Sequence, residues 1–212
     1  MELLLDPITV NCRKVLAGFK LIGADYTIKK VDYFQGEQKS PEYTAINPMQ
    51  TIPALKDGNL IIWESNAILQ YAADKLENDS VYSKDLKIRA DINQWLLWES
   101  NNWFGSCYKY LVENCVQPLL GNTSDQSILD NEEENFHKLA GLLDKRLAGS
   151  KYMCGDSATI ADVVIAAPMH LHAWAKLPLS QHSNLVRWMT EDIESQSWWK
   201  DTHVEEGFKL PE

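Results

Sequence analysis

Hydrophobic positions along this chain alternate between strand and helix periods in its first part and keep only helical periods after it. Leu3, Leu4 and Leu5 form a short continuous apolar run that reads as a buried strand. After Pro7, the positions Val15, Leu16, Phe19 and Ile22 recur at helical spacing up to Gly23, so the opening predicts strand, turn and helix. The stretch Tyr26-Thr27-Ile28-Lys29-Lys30-Val31 partly alternates and carries β-branched side chains, a second strand signal. Ala54-Leu55 and Leu60-Ile61-Ile62 flank Lys56-Asp57-Gly58-Asn59 and read as a hairpin around Asp-Gly. A helix from 65 to about 75 follows. The order β-α-β, then β-β-α, predicts a mixed sheet with helices on its faces, over residues 1–76.

Residues 77–83, Glu-Asn-Asp-Ser-Val-Tyr-Ser, are polar, break the periodicity and read as an interdomain linker. From 84 to 212 only helical periods persist. Ile88, Ile92, Trp95 and Leu96 mark one amphipathic helix over 84–103, and Phe136, Leu139, Leu143 and Leu147 another over 131–147. Gly121-Asn122-Thr123-Ser124-Asp125 is a loop between them. Thr159-Ile160-Ala161-Asp162 has capping-box spacing ahead of the apolar run 163–167. The whole is α/β plus all-α in class.

Composition narrows the picture. With 45% hydrophobic residues in 212, a real core is available, and no apolar run approaches a membrane span. A net charge of −10 disfavours nucleic acid and anionic membrane surfaces as partners, and an anionic small ligand would need locally placed donors. The four cysteines, Cys12, Cys107, Cys115 and Cys154, form no C-x-x-C pair and no disulfide framework; reduced thiols are expected. His170 and His172 are two apart, roughly opposite on a helix, so no metal site is expected.

Two motifs carry candidate chemistry. Asn47-Pro48-Met49-Gln50-Thr51-Ile52-Pro53-Ala54-Leu55 puts an Ile-Pro step at the entry to an apolar strand. Held cis in a tight turn, it would leave the Ile52 N–H and C=O facing outward, available to an extended peptide. Trp63-Glu64-Ser65-Asn66-Ala67-Ile68 then sets Glu-Ser directly before an amphipathic helix. There the Ser hydroxyl and first-turn N–H groups form an anion site, with Glu64 beside it for an ammonium. Taken alone, Glu-Ser before a helix is a common cap that binds nothing. Taken with the opening Leu3-Leu4-Leu5-Asp6-Pro7-Ile8-Thr9-Val10-Asn11-Cys12-Arg13-Lys14-Val15, these motifs resemble the cytosolic glutathione transferase family, along nearly the whole chain.

The resemblance implies a thioredoxin-like first domain that binds glutathione and a helical second domain that forms the electrophile pocket. It implies conjugation of the glutathione thiolate to hydrophobic electrophiles in the cytoplasm, with peroxide reduction as a side activity, by a homodimer. The alternative is a non-catalytic glutathione-binding or assembly module, because this fold also serves in translation-factor subunits and lens proteins. Serine-type classes place the thiolate-stabilising hydroxyl four residues before an Arg; that position here is Thr9, ahead of Arg13. Asn11 offers an amide donor, similar to the Ser-Gly-Asn-Cys-like opening of some bacterial members. Cys12 could form a mixed disulfide, although cysteine-type members carry theirs at the Thr9 position. For Thr9 the ordinary reading is a turn or N-cap residue.

For glutathione, the resemblance assigns the Ile52 backbone, beside Pro53, to the cysteinyl unit, Ser65 to the γ-glutamyl carboxylate and Glu64 to its ammonium. Gln38 and Lys39 lie where members contact the glycine carboxylate, and Gln50 and Thr51 flank the pocket. Lys39 read by itself is a solvated loop lysine. Trp103, Phe104 and Tyr108 fall on the helix that walls the acceptor pocket, against the plain reading of aromatic core packing.

Overall fold

The computed structural model describes residues 1–203. The described residues divide into two compact units, Met1–Lys84 with residues 197–203, and Asp85–Gln196.

In the first unit β1 (Glu2–Leu5) leads to α1 (Val10–Ile22) and β2 (Thr27–Lys30), then to the single turn α2 (Pro41–Thr44) and on to β3 (Ala54–Asp57), β4 (Leu60–Trp63) and α3 (Ser65–Lys75). The sheet order is β2-β1-β3-β4, with β1 parallel to β2 and antiparallel to β3, and β3 antiparallel to β4. Leu3 sits opposite both Ile28 and Leu55, which centres the buried leucine run under the helices. The turn between β3 and β4 is Gly58-Asn59, one residue later than Asp-Gly, and Gly58 takes φ 58°, a conformation glycine adopts without steric cost. β2 is exposed at every position, so the alternation read in 26–31 reports an edge strand, not a buried face.

α1 stops at Gly23, whose φ of 79° lets its N–H bond the Phe19 and Lys20 carbonyls. Against α1 lies α3. A Cβ built on Gly18 would stand 2.2 Å from Leu69 Cδ2, so the two helices approach more closely than any side chain at 18 would allow. The segment 77–83 is tied down: the Asn78 amide donates to the Ile22 carbonyl at 3.0 Å, and the Gln70 amide to the Tyr82 hydroxyl at 2.9 Å.

The second unit contains α4 (Leu86–Trp98), α5 (Phe104–Leu111), α6 (Gln117–Leu119), α7 (Gln126–Leu147), α8 (Ile160–Ala166) and α9 (Ser183–Arg187). A π-helical stretch, Glu99–Trp103, joins α4 to α5 without a break. α7 starts at Gln126, five residues before the expected start at 131, because Asp125 caps it by accepting from the Ser127 N–H at 3.0 Å. Ile88 is 46% exposed, so the buried stripe of α4 is narrower than its sequence pattern and rests on Ile92, Trp95 and Leu96.

The capping box ahead of α8 is present. Asp162 is fully buried and accepts from Met153 N–H at 2.8 Å, Thr159 N–H at 2.9 Å, the Thr159 hydroxyl at 3.1 Å and Trp188 Nε1–H at 3.2 Å. Burial pushes its carboxyl up to about 6 despite those donors.

A final helix, α10 (Ser197–Lys200), belongs to the first unit, where the sequence reading gave all of 84–212 to the second; residues 204–212 of that range lie outside the described residues. The cause is a specific contact with α1. The Arg13 guanidinium stacks 4.4 Å over the Trp199 ring, and its Nε donates to the Thr202 hydroxyl at 3.5 Å. Among the described residues no helix is long and apolar enough to cross a membrane.

Candidate functional site

Four segments of the first unit supply the predicted polar residues. The turn from β1 into α1 is organised by Asp6, buried at 6% exposure. Its carboxylate accepts from the Ile8 and Tyr33 N–H groups at 3.3 Å each, and its carbonyl accepts from Thr9 N–H at 3.2 Å. Thr9 is thereby set as the N-cap of α1, with φ −89° and ψ 148°, yet its side chain makes no capping hydrogen bond. The hydroxyl instead donates to the Asp6 carbonyl at 3.4 Å, long for an O–H···O bond and easily exchanged for a better acceptor. Thr9 therefore caps α1 through its backbone, and its hydroxyl is not spent on the helix N–H groups.

Cys12 is fully buried, and burial pushes its thiol up to about 12, with hydrogen bonding from Thr9 and the Asp6 backbone only partly opposing. A thiol held protonated and out of solvent is not a nucleophile, so the mixed-disulfide option falls. Burial likewise pushes Cys115 and Cys154 up to about 12.

The second segment is the loop into β3. Asn47 is fully buried and acts as its staple. Its amide donates to the Thr51 carbonyl at 2.7 Å and the Thr51 hydroxyl at 3.1 Å, while its Oδ1 accepts from Met49 N–H at 3.0 Å. The Tyr43 hydroxyl adds a 2.8 Å bond to the same Thr51 carbonyl. The Ile52–Pro53 bond that follows is cis. Ile52 lies outside the strands, and its N–H and C=O enter none of the loop, turn or cap bonds between backbone groups. Thr51 faces outward with its carbonyl already used, and Gln50 is exposed at φ 56° with its amide donating to the Thr44 hydroxyl at 3.3 Å.

The third segment opens α3. Ser65 is the first helical residue, and Glu64 is the N-cap with φ 75° and ψ 111°, a left-handed backbone for a residue with a side chain. Such a conformation costs on the order of 1–3 kcal/mol and is held by its surroundings. Glu64 is exposed and Ser65 is 9% exposed, so the carboxylate faces outward while the hydroxyl sits at the base. The Ser65 hydroxyl lies 3.5 Å from Asn11 Oδ1, which joins the opening of α1 to the opening of α3. One side chain here escaped the sequence reading: Lys14, 2% exposed, whose Nζ lies 3.3 Å from both Ser65 Oγ and Asn66 Oδ1. The available signal was its place four residues after Val10 and four before Gly18, on the buried stripe of α1. Asp6 and Asn47 gave no comparable signal, because turn residues of those types are usually solvated.

Gln38 and Lys39 form part of one 3₁₀ turn, Glu37–Lys39, but differ in placement. Gln38 is 5% exposed and its Oε1 is buried without a hydrogen-bond partner, whereas Lys39 is exposed. Of the three aromatic residues assigned to the acceptor pocket, Trp103 is a core residue of the second unit. It is fully buried, tilted against Phe136 at 5.2 Å, and donates Nε1–H to the Ile165 carbonyl at 3.1 Å. Its helical position turned it inward. Phe104 and Tyr108 stack with centroids 5.3 Å apart, Tyr108 being 41% exposed. No cluster of three or more potential metal-ligating side chains occurs among the described residues.

A four-stranded mixed sheet with a cis-proline entry to β3, and a polar helix opening beside it, define a thioredoxin-like ligand-binding unit followed by a helical one. The comparisons with known proteins extend this. The family model for the glutathione S-transferase N-terminal domain matches residues 4–74, and that for the C-terminal domain matches 108–195. Glutathione S-transferase 1 of Zea mays is 32% identical over 153 residues, covering 72% of each chain. The crystal structure of glutathione transferase F7 from Populus trichocarpa superposes with a TM-score of 0.87 at 29% identity, over 95% of this chain and 96% of that one. Glutathione S-transferase I from mais, solved in complex with an atrazine glutathione conjugate, gives 0.84 at 27%, over 95% of each. The chain belongs to the glutathione S-transferase family.

Proposed function

We propose that this chain holds glutathione on its first unit and conjugates the thiolate to hydrophobic electrophiles. The observation that carries the reading is the 3.5 Å approach of Ser65 Oγ to Asn11 Oδ1, which brings a carboxylate-binding helix opening and a thiolate-facing one into a single polar patch. Ser65 and the first-turn N–H groups of α3 take the γ-glutamyl carboxylate. Glu64 faces the ammonium, the Ile52 backbone beside Pro53 pairs the cysteinyl unit, and the Gln38 amide NH₂ and Lys39 meet the glycine carboxylate. Gln50 and Thr51 form the rim. Thr9 and Asn11 donate to sulfur. A free thiol has a pKa near ~8.5, and each unit of lowering is worth about 1.4 kcal/mol of thiolate stabilisation, within reach of one or two such donors. Chemistry then needs only positioning, with no covalent enzyme intermediate.

In this reading the first unit, with 1–76 as its core, binds glutathione, 77–83 is the linker, and residues 85–196 form the acceptor domain, with Phe104 and Tyr108 its aromatic wall. Peroxide reduction uses the same thiolate. A cytoplasmic homodimer follows from the family pattern. Large exposed apolar side chains, Phe34 and Met49 in the first unit and Leu86 and Leu97 in the second, are surface for such a dimer to cover.

Ultraviolet difference titration of bound glutathione against pH tests the reading, for wild type, Thr9→Ala and Asn11→Ala. The expected result is a wild-type thiol pKa well below that of free glutathione, raised by either substitution. Tight binding with an unshifted thiol would favour the non-catalytic module, and no binding would sink both.

A further inference from the structure

A lysine ammonium is costly to bury, and Lys14 is 2% exposed at the junction of α1 and α3. Its surroundings impose a direction on the hydrogen bonds nearby. An ammonium carries three donors and no acceptor, so the contact from Lys14 Nζ at 3.3 Å makes the Ser65 oxygen an acceptor. A hydroxyl fixed as acceptor on one side sends its proton elsewhere, and Asn11 Oδ1 stands 3.5 Å away. Once that amide oxygen is committed to Ser65, the Asn11 NH₂ points from the opposite edge of the amide. An anionic sulfur needs this donor edge; the oxygen edge would repel it.

We propose that Lys14 is a positioning residue that acts through Ser65 to present the amide NH₂ of Asn11, and not its oxygen, to the glutathione sulfur. This rests on the glutathione reading of the site. The second contact of Lys14, 3.3 Å to Asn66 Oδ1, holds the next residue of α3 and fixes the ammonium from a second side. The register of the helices supports the same geometry. Gly18 meets Leu69 one turn below the point where Lys14 meets Ser65, so the close approach that excludes a side chain at 18 sets the reach of Lys14 to α3. The bonds are long here, as catalytic hydrogen bonds often are without substrate. A carboxylate seated on the first-turn N–H groups of α3, that of Ser65 included, leaves the single Ser65 hydroxyl proton with Asn11.

The test is the thiol pKa of glutathione at saturation, with kcat and KM, for wild type, Lys14→Met, Lys14→Arg, Asn11→Ala and the double variant Lys14→Met/Asn11→Ala. The expected result for Lys14→Met is a bound-thiol pKa raised by about one, a kcat lowered about tenfold, and partial recovery in Lys14→Arg. Asn11→Ala should add little in the Lys14→Met background, because both break the same chain. A Lys14→Met enzyme with wild-type thiol pKa and kcat would overturn the proposal, as would independent, multiplying effects of the two substitutions. If Lys14→Met does not fold, Ser65→Ala breaks the chain at its middle link while keeping the lysine and its contact with Asn66. At saturating glutathione it must raise the thiol pKa by a similar amount and be non-additive with Asn11→Ala, or the proposal fails. Wild type that leaves the thiol unshifted would instead overturn the glutathione reading itself.

Discussion

Two buried polar centres in this molecule are built on opposite terms. Around Asp162 in the second unit, four donors converge on one carboxylate at 2.8–3.2 Å. Around Lys14, Ser65 and Asn11 in the first, the contacts are 3.3 and 3.5 Å and reach the openings of two helices. The first centre is closed by the protein's own groups and locks a helix start. The second lies beside Glu64, a non-glycine residue with a left-handed backbone. Complete satisfaction marks a group used for folding; loose contacts beside local strain mark one that receives something.

The largest effect should come from Asp162→Ala, which strands the Met153 and Thr159 N–H groups and the Trp188 indole. A loss of about 3–5 kcal/mol in denaturant unfolding is expected. A loss under about 1 kcal/mol would break the contrast, by making Asp162 no more structural than a surface cap. Gly18→Val comes next, at about 1–3 kcal/mol, since its Cβ would meet Leu69 and push α3 away. It should also raise KM for glutathione, whereas Asp162→Ala, at temperatures where it stays folded, should leave KM alone.

The pH dependence of stability sharpens the same contrast. The folded carboxyl of Asp162 lies near 6 against an ordinary 3.8, so the folded state binds the extra proton in that interval. Stability from this group is therefore full below about pH 4 and falls as pH rises toward 6, by up to about 3 kcal/mol, then levels off. Asp162→Asn should remove that slope from the wild-type curve of denaturation midpoint against pH. An unchanged slope would place the titration elsewhere. Glu64→Gly should relieve the backbone at φ 75° and stabilise the fold by about 1 kcal/mol while weakening glutathione binding, a gain and a loss with no counterpart at Asp162. Smallest of all, Cys12→Ala should leave the conjugation rate within about a factor of two, since the buried, protonated thiol is no nucleophile.

Much of this was legible in the residues. The order of elements in the first unit followed from the hydrophobic periods, the cis Ile52–Pro53 turn from the Ile-Pro step before an apolar strand, and the α8 cap from the spacing of Thr159 and Asp162. These are local: each depends on neighbours within a few positions, which a linear pattern records. Ile52, Glu64 and Ser65 were nameable for the same reason, since helix openings and strand entries announce themselves in sequence, whereas Thr9 and Asn11 were named through the family resemblance. What only the tertiary structure decided were contacts between distant positions. Lys14 reads as a solvated charge until α3, 51 residues on, closes over it. Trp103 and Ile88 look alike on a helical wheel, yet one is fully buried and the other 46% exposed. The helix at Ser197–Lys200 returns to the first unit because Arg13 and Trp199 meet across nearly the whole chain. A residue's periodicity tells which face of its own helix it occupies; what packs on that face is fixed only when the chain folds.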